Sequence, residues 1–307
     1  MRTRALGTGG PVVSVVGLGC NNFGGRVGLE GTRAVVDAAL ECGITLFDTA
    51  DVYGEKGGSE TLLGEVLEGR RDRVVLATKF GHEMPGGPDV PRGSPEWVRW
   101  ACDESLRRLR TDRIDLYQYH RPDGVTPLAE TLGAMDELVQ AGKVVHIGSS
   151  NLDAAQVQEA DAAARDRGLA RFVSAQNRYS FVHRDAEDEL LPTCERLGIG
   201  MLPYFPLESG LLTGNYRRGE PAPEGSRLAS RDGWLTDEAF DRVEALERFA
   251  DERGVSLLDV AVGGLASMPA IASVIAGATQ PEQVRANAAA GEWEPGADDV
   301  AALRALR

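Results

Sequence analysis

Eight short runs rich in β-branched and aromatic residues alternate with segments of helical periodicity, and this alternation restricts the fold more than any other feature of the chain. The runs are Val15–Leu18, Thr45–Phe47, Val74–Thr78, Ile114–Tyr119, Val144–Gly148, Phe172–Ala175, Ile199–Pro203 and Ser273–Ala276. Between them, Thr32–Cys42, Glu60–Leu67, Pro95–Leu109, Pro127–Gln140, Ala154–Arg167 and Glu187–Leu197 have the spacing of amphipathic helices. Ser94 before Pro95 reads as an N-cap with proline in the first helical position, and Gly43, Gly142, Gly168 and Gly198 stand where helices should stop. Repeated strand-helix units call for a parallel sheet covered by helices, and eight of them predict closure into an α/β (β/α)8 TIM barrel. A doubly wound open sheet is the rival. Its dinucleotide fingerprint, GxGxxG after the first strand, does not match the irregular spacing of Gly17, Gly19, Gly24 and Gly25.

Two regions break the repeat. Thr3–Val13, with a Gly-Thr-Gly-Gly-Pro turn, reads as an N-terminal β-hairpin capping one barrel end. The connection from Leu207 to Thr236, studded with Gly210, Gly214, Gly219, Pro221, Pro223 and Gly225, is long enough to suggest a functional loop. Helical patterns follow at Asp237–Arg253 and Leu257–Ala266, then beyond the eighth strand at Pro281–Ala289 and Ala297–Leu306 as extra C-terminal helices. No shift in composition divides the chain, so residues 1–307 are expected to form one barrel domain.

A formal charge of −14 disfavours nucleic acid and anionic membrane surfaces as partners. No apolar run approaches the roughly 20 residues that span a bilayer. Cys20, Cys42, Cys102 and Cys194 show no CxxC spacing, and the amino terminus lacks a basic head followed by an apolar core. A reduced, cytoplasmic protein with cysteines acting as small apolar residues is the expectation.

Asp48 and Tyr53 follow the second strand run, Lys79 the third and His120 the fourth, and parallel strands would bring them to one place. Together they make a proton-transfer set able to reduce a carbonyl. Tyr53 can donate a proton to the developing alkoxide; a Lys79 ammonium favours the phenolate, Asp48 holds that ammonium, and a neutral His120 orients the carbonyl. Taken singly, the four read as a buried ion pair, a turn aromatic and a loop histidine; it is their recurrence at successive strand ends that favours chemistry.

These residues lie in DTADVYG (48–54), ATKFG (77–81), YHRPD (119–123) and IGSSN (147–151), and further motifs follow as SAQNRYS (174–180), PYFPLESGLLTG (203–214) and IAGATQPEQVRAN (275–287). In this order they resemble the aldo-keto reductase superfamily over nearly the whole chain. The resemblance implies NADPH-dependent reduction of a small aldehyde or ketone with Asp48, Tyr53, Lys79 and His120 as the tetrad. It also implies that Ser150, Asn151 and Gln176 bond the nicotinamide carboxamide and that Tyr204 stacks on the ring. Leu207, Ser209, Gly210 and Leu212 fall in the segment that wraps the pyrophosphate in similar proteins, and Gly277, Thr279, Gln283 and Asn287 in the segment that holds the adenosine end. Read alone, Ser150 and Asn151 suit a turn or helix cap, Tyr204 suits packing, and Gln176 on a barrel strand asks for a partner.

Many relatives carry lysine where this chain has Asn215, and some a basic residue where Thr279 stands. That leaves Arg227, or Arg217, Arg218 or Arg285, to meet the extra phosphate that distinguishes NADPH from NADH. His82 could line the pocket or sit in solvent, and His146 and His183 read as structural. Arg121 could meet an anionic substrate group or a neighbouring carboxylate. Asn22, Phe23, Phe80 and the Gly210–Trp234 loop are candidate pocket walls. No His/Asp/Glu cluster has metal-ligand spacing, so no metal site is expected. The resemblance extends to NADPH-binding redox-sensing regulatory subunits of membrane channels, the alternative to an enzyme; a metal-dependent isomerase or lyase using His120 and Asp48 is a third reading.

Overall fold

The computed structural model describes residues 1–224, 226–230 and 233–306; Gly225, within the expected functional loop, lies outside them. Two strands, β1 (Thr3–Ala5) and β2 (Val12–Ser14), form an antiparallel hairpin. Eight parallel strands follow: β3 (Val16–Gly19), β4 (Leu46–Asp48), β5 (Val75–Phe80), β6 (Ile114–Tyr119), β7 (Val144–Ser150), β8 (Phe172–Gln176), β9 (Gly200–Met201) and β10 (Val274–Gly277). All eight coincide with the sequence runs to within a few residues. Their order is β10-β3-β4-β5-β6-β7-β8-β9. The circle closes through a bridge between Met201 and Ile271 and a bond from Ile275 N–H to the Pro203 carbonyl at 3.1 Å. The architecture is the (β/α)8 barrel with the expected hairpin and added C-terminal helices, Pro281–Ala290 and Ala297–Ala305.

Strand alternation builds the site in layers. On β4, β5 and β6 the residues Leu46, Ala77 and Leu116 join one apolar cluster together with Leu6 and Val13 of the hairpin region, which therefore closes the amino-terminal end of the barrel. Two residues further along the same strands come Asp48, Lys79 and Gln118, facing the same way because side chains repeat every second residue. The register sets Lys79 beside Gln118 and Asp48 beside Ala77. The opposite faces carry Phe47, Leu76, Phe80, Tyr117 and Tyr119, which belong to the larger core under the helices. Phe80 stacks on Tyr117 and Tyr119 at 4.7 and 5.1 Å.

Helix boundaries follow local chemistry. The Ser94 hydroxyl accepts from Trp97 N–H with Pro95 in the first turn, and Asp153 forms a capping box with Gln156. After Tyr53 the backbone makes a left-handed run over Gly54–Gly57, and the regular helix follows it to Val66, starting two residues before the expected Glu60. Gly54 is required there: its φ is 66°, and a Cβ would lie 2.4 Å from the Phe23 carbonyl oxygen.

Candidate active site

The carboxyl ends of the strands open into a cavity of about 900 Å³. That is large for a small-molecule site and suits a dinucleotide with a substrate. At its floor, Lys79 is wholly buried and Asp48 only 3% exposed. The Lys79 ammonium donates to Asp48 Oδ2 at 2.6 Å and to the Thr49 carbonyl at 2.8 Å. Asp48 Oδ1 accepts from the side-chain amides of Gln118 at 3.0 Å and Gln176 at 2.9 Å, so both of its oxygens are committed. Burial alone would lower the Lys79 pKa, but the charges of Asp48 and Tyr53 outweigh it and the pKa ends above the ordinary lysine value. Lys79 is therefore an ammonium at neutral pH.

Tyr53 lies with Lys79 Nζ 4.9 Å from its ring centroid and His120 edge-on at 5.8 Å. Its pKa is raised, because burial outweighs the opposing pull of Lys79 and the Asp48 charge adds to the rise. Lys79 pulls toward the phenolate, the direction expected of it, but desolvation is the larger effect, so the phenol is held protonated while the ammonium stands ready to stabilise the phenolate. His120 is a neutral imidazole. Burial, then the positive charge of Lys79, brings its pKa down to about 2. Its Nδ1 is buried and has no protein partner among the described residues. His82 packs edge-on against it at 4.6 Å and lines the cavity.

The amides predicted to hold a ligand form a connected set. Ser150 Oγ donates to the Gln176 carbonyl at 2.8 Å, Asn151 Nδ2 donates to Ser150 Oγ and to the His120 carbonyl, and the Tyr204 hydroxyl donates to Asn151 Oδ1 at 2.8 Å. Asn151 sits at φ 57°, a left-handed conformation that asparagine tolerates. Its two amide hydrogens are thereby spent, as are those of Gln176 on Asp48 Oδ1 and Gln118 Oε1, so these cavity-lining residues keep acceptor rather than donor capacity. Such a surface suits a ligand carboxamide NH2.

Of the residues expected around a cofactor, Ser150, Asn151, Gln176, Tyr204, Leu207, Ser209, Gly210, Arg227, Gly277, Thr279, Gln283 and Asn287 all line this cavity. Leu212 does not. It is wholly buried in the core under the loop, with its N–H bonded to the Leu207 carbonyl. Phe23 and Phe80 are likewise core residues rather than pocket walls, as the outward register of Phe80 explains. Arg217, Arg218 and Arg285 are paired with surface carboxylates outside the cavity: Arg217 with Glu247, Arg218 with Asp237, Asp241 and Glu244, and Arg285 with Glu41. Arg227 remains inside, donating to Asn22 Oδ1 at 2.7 Å, while Asn22 Nδ2 bonds the Ala278 carbonyl at 3.2 Å.

The fit to a dinucleotide rests on Asn287. It is 5% exposed and lines the cavity, and its side chain bonds to no described residue, so a buried amide is left for a ligand. The loop over the cavity is fixed from a distance by buried Glu208, which accepts from Arg178 at 2.5 Å and Ser180 at 2.7 Å, while Arg178 also lies over the Trp234 ring at 4.4 Å.

Gln118, Asn21 and Arg26 were missed in the sequence. The signal that singled out Gln176, a glutamine on a barrel strand, applies equally to Gln118. Arg26 and Asn21 lie in an irregular glycine-flanked loop with no such signal. Cys20 also lines the cavity, and burial and the Asp48 charge raise its thiol pKa well above the ordinary value, as for an inert apolar residue.

A barrel whose strand ends present a buried ammonium, a phenol and a neutral imidazole around an amide-lined cavity is the form of an oxidoreductase barrel. The aldo/keto reductase family model matches residues 15–307, and the chain belongs to that family. It is 33% identical over 300 residues to a probable voltage-gated potassium channel subunit beta of Arabidopsis thaliana, covering 94% of this chain and 90% of that protein. It is 40% identical over 257 residues to probable aldo-keto reductase 1 of Glycine max, covering 79% and 71%.

Proposed function

We propose that this chain reduces an aldehyde or ketone to an alcohol with NADPH, Tyr53 serving as the general acid. Bound NADPH would supply the hydride. Tyr53 delivers the phenolic proton to the carbonyl oxygen as negative charge develops there, and Lys79, held by Asp48, stabilises the phenolate left behind. Neutral His120 donates a hydrogen bond to the same oxygen, which requires its proton on the nitrogen that faces the cavity. Ser150, Asn151 and Gln176 orient the carboxamide, with the Tyr204 ring against the nicotinamide and Arg227 toward the extra phosphate. The observation that carries this reading is the buried Asp48–Lys79 pair beside Tyr53. The metal reading has little support, since both Asp48 oxygens are already taken by Lys79, Gln118 and Gln176.

The likeness to the probable channel subunit keeps a second reading in view, an NADPH-binding regulatory subunit with little turnover. Fluorescence titration with NADPH and NADH, followed by turnover on a panel of aldehydes and ketones, separates the two. Tight NADPH binding with many turnovers per minute is expected. Binding without turnover would favour the regulator, and no binding would overturn both.

A further inference from the structure

Among the described residues, the charged side chains lining the cavity are Arg26, Arg121, Arg227 and Asp48, and the one carboxylate among these is neutralised by Lys79. A chain with 47 acidic and 33 basic residues thus places three guanidinium groups on its cavity lining, with Arg26 and Arg121 exposed to solvent. Arg227, bonded to Asn22, belongs to the side assigned to the dinucleotide phosphates. Arg121 belongs to the other side: it directly follows His120, and its charge acts on His82, His120 and the Tyr204 hydroxyl. The sequence left open whether Arg121 meets a substrate or a neighbouring carboxylate. The nearest carboxylate along the chain, Asp123, is instead spent on the backbone N–H groups of Gly93, Val125 and Thr126 and on the Thr126 hydroxyl. Arg121 itself makes no hydrogen bond or ion pair with any described residue.

We infer that the carbonyl substrate is an anion, an aldehyde or ketone bearing a carboxylate, and that Arg121 receives that carboxylate. This rests on the reductase reading and names its substrate class. The planar guanidinium fork matches a carboxylate bidentately, and its field concentrates anions against the repulsion of an acidic surface. Selectivity then comes from Arg121 and chemistry from its neighbour His120 and from Tyr53.

The test compares 4-carboxybenzaldehyde with its neutral methyl ester in the wild type, Arg121→Gln and Arg121→Lys. The wild-type kcat/KM is expected to favour the carboxylate at least about tenfold, the yield of a charge-assisted hydrogen bond pair. In Arg121→Gln the ratio should fall toward one through KM for the carboxylate, with partial recovery in Arg121→Lys. A ratio unchanged by Arg121→Gln, or a wild-type preference for the ester, overturns the inference. Calorimetry of terephthalate binding to the NADP-loaded protein reads the same contact without turnover: weakening of about tenfold in Arg121→Gln supports it, and equal affinity refutes it. Should neither aldehyde be reduced while terephthalate still distinguishes the two proteins, the reductase reading fails and the anion site stands.

Discussion

Replacing Lys79 with Met removes a charge from the floor of the site while keeping most of the side chain's length. The wild-type ammonium is wholly buried and bonds Asp48 Oδ2 at 2.6 Å. In the variant Asp48, itself 3% exposed, would keep the Gln118 and Gln176 amides on Oδ1 and lose its charged partner on Oδ2. Stripping one member from a buried ion pair costs roughly 3–5 kcal/mol. The two surviving amide donors place this case at the lower end, about 3 kcal/mol. The double variant Lys79→Met, Asp48→Asn removes the stranded charge and should recover about 2 kcal/mol of that loss. Urea denaturation at neutral pH measures all three proteins, with carbonyl reduction assayed in parallel and expected to stay lost in both variants. Because the Lys79 pKa is raised in the folded protein, the stabilisation is fully present below the unfolded lysine value of about 10.4 and lost as pH climbs through the folded one. The gap between wild type and Lys79→Met should therefore be constant near neutrality and close only in strong alkali. A single variant that loses under about 1 kcal/mol, or a double variant no more stable than the single, would refute the reasoning.

Two further outcomes follow from particular contacts. Both Asp51 oxygens are buried with no hydrogen-bond partner among the described residues, and burial, then the Glu60 charge, raises its pKa well above the carboxylate range; its ionisation therefore weighs against the folded state increasingly as pH rises above about 3.9. Asp51→Asn should raise the melting temperature more at pH 8 than at pH 5, and a gain that shrinks with pH would contradict this. Arg227→Gln should weaken NADPH binding about tenfold, with a much smaller change for NADH in the same titration, and equal weakening of both would remove Arg227 from the phosphate contact.

The barrel was legible because its strands are short, β-branched and regularly spaced, and because alternation alone carries Asp48, Lys79 and Gln176 to the same end as His120. Most of the site residues named from the resemblance line the cavity. Leu212 was misplaced because a motif gives neighbours in sequence, whereas the φ of 46° at Glu208 and 58° at Ser209 turns successive residues of the loop in different directions. Nothing local announces those angles at non-glycine residues; they depend on Glu208 being gripped by Arg178 and Ser180 from the segment after β8. The arginines were ambiguous for a similar reason. Arg218 meets three carboxylates of the helix Asp237–Arg253 and Arg121 meets none among the described residues, and only packing separates a paired guanidinium from an unpaired one.

The central claim is that the Tyr53 phenol, beside the Lys79 ammonium, protonates the carbonyl oxygen. Single-turnover oxidation of bound NADPH by a carbonyl substrate, followed in the wild type and in Tyr53→Phe, tests it most directly. The account predicts a rate lower by about 10²- to 10⁴-fold with NADPH affinity essentially retained; equal rates in the two proteins would contradict it.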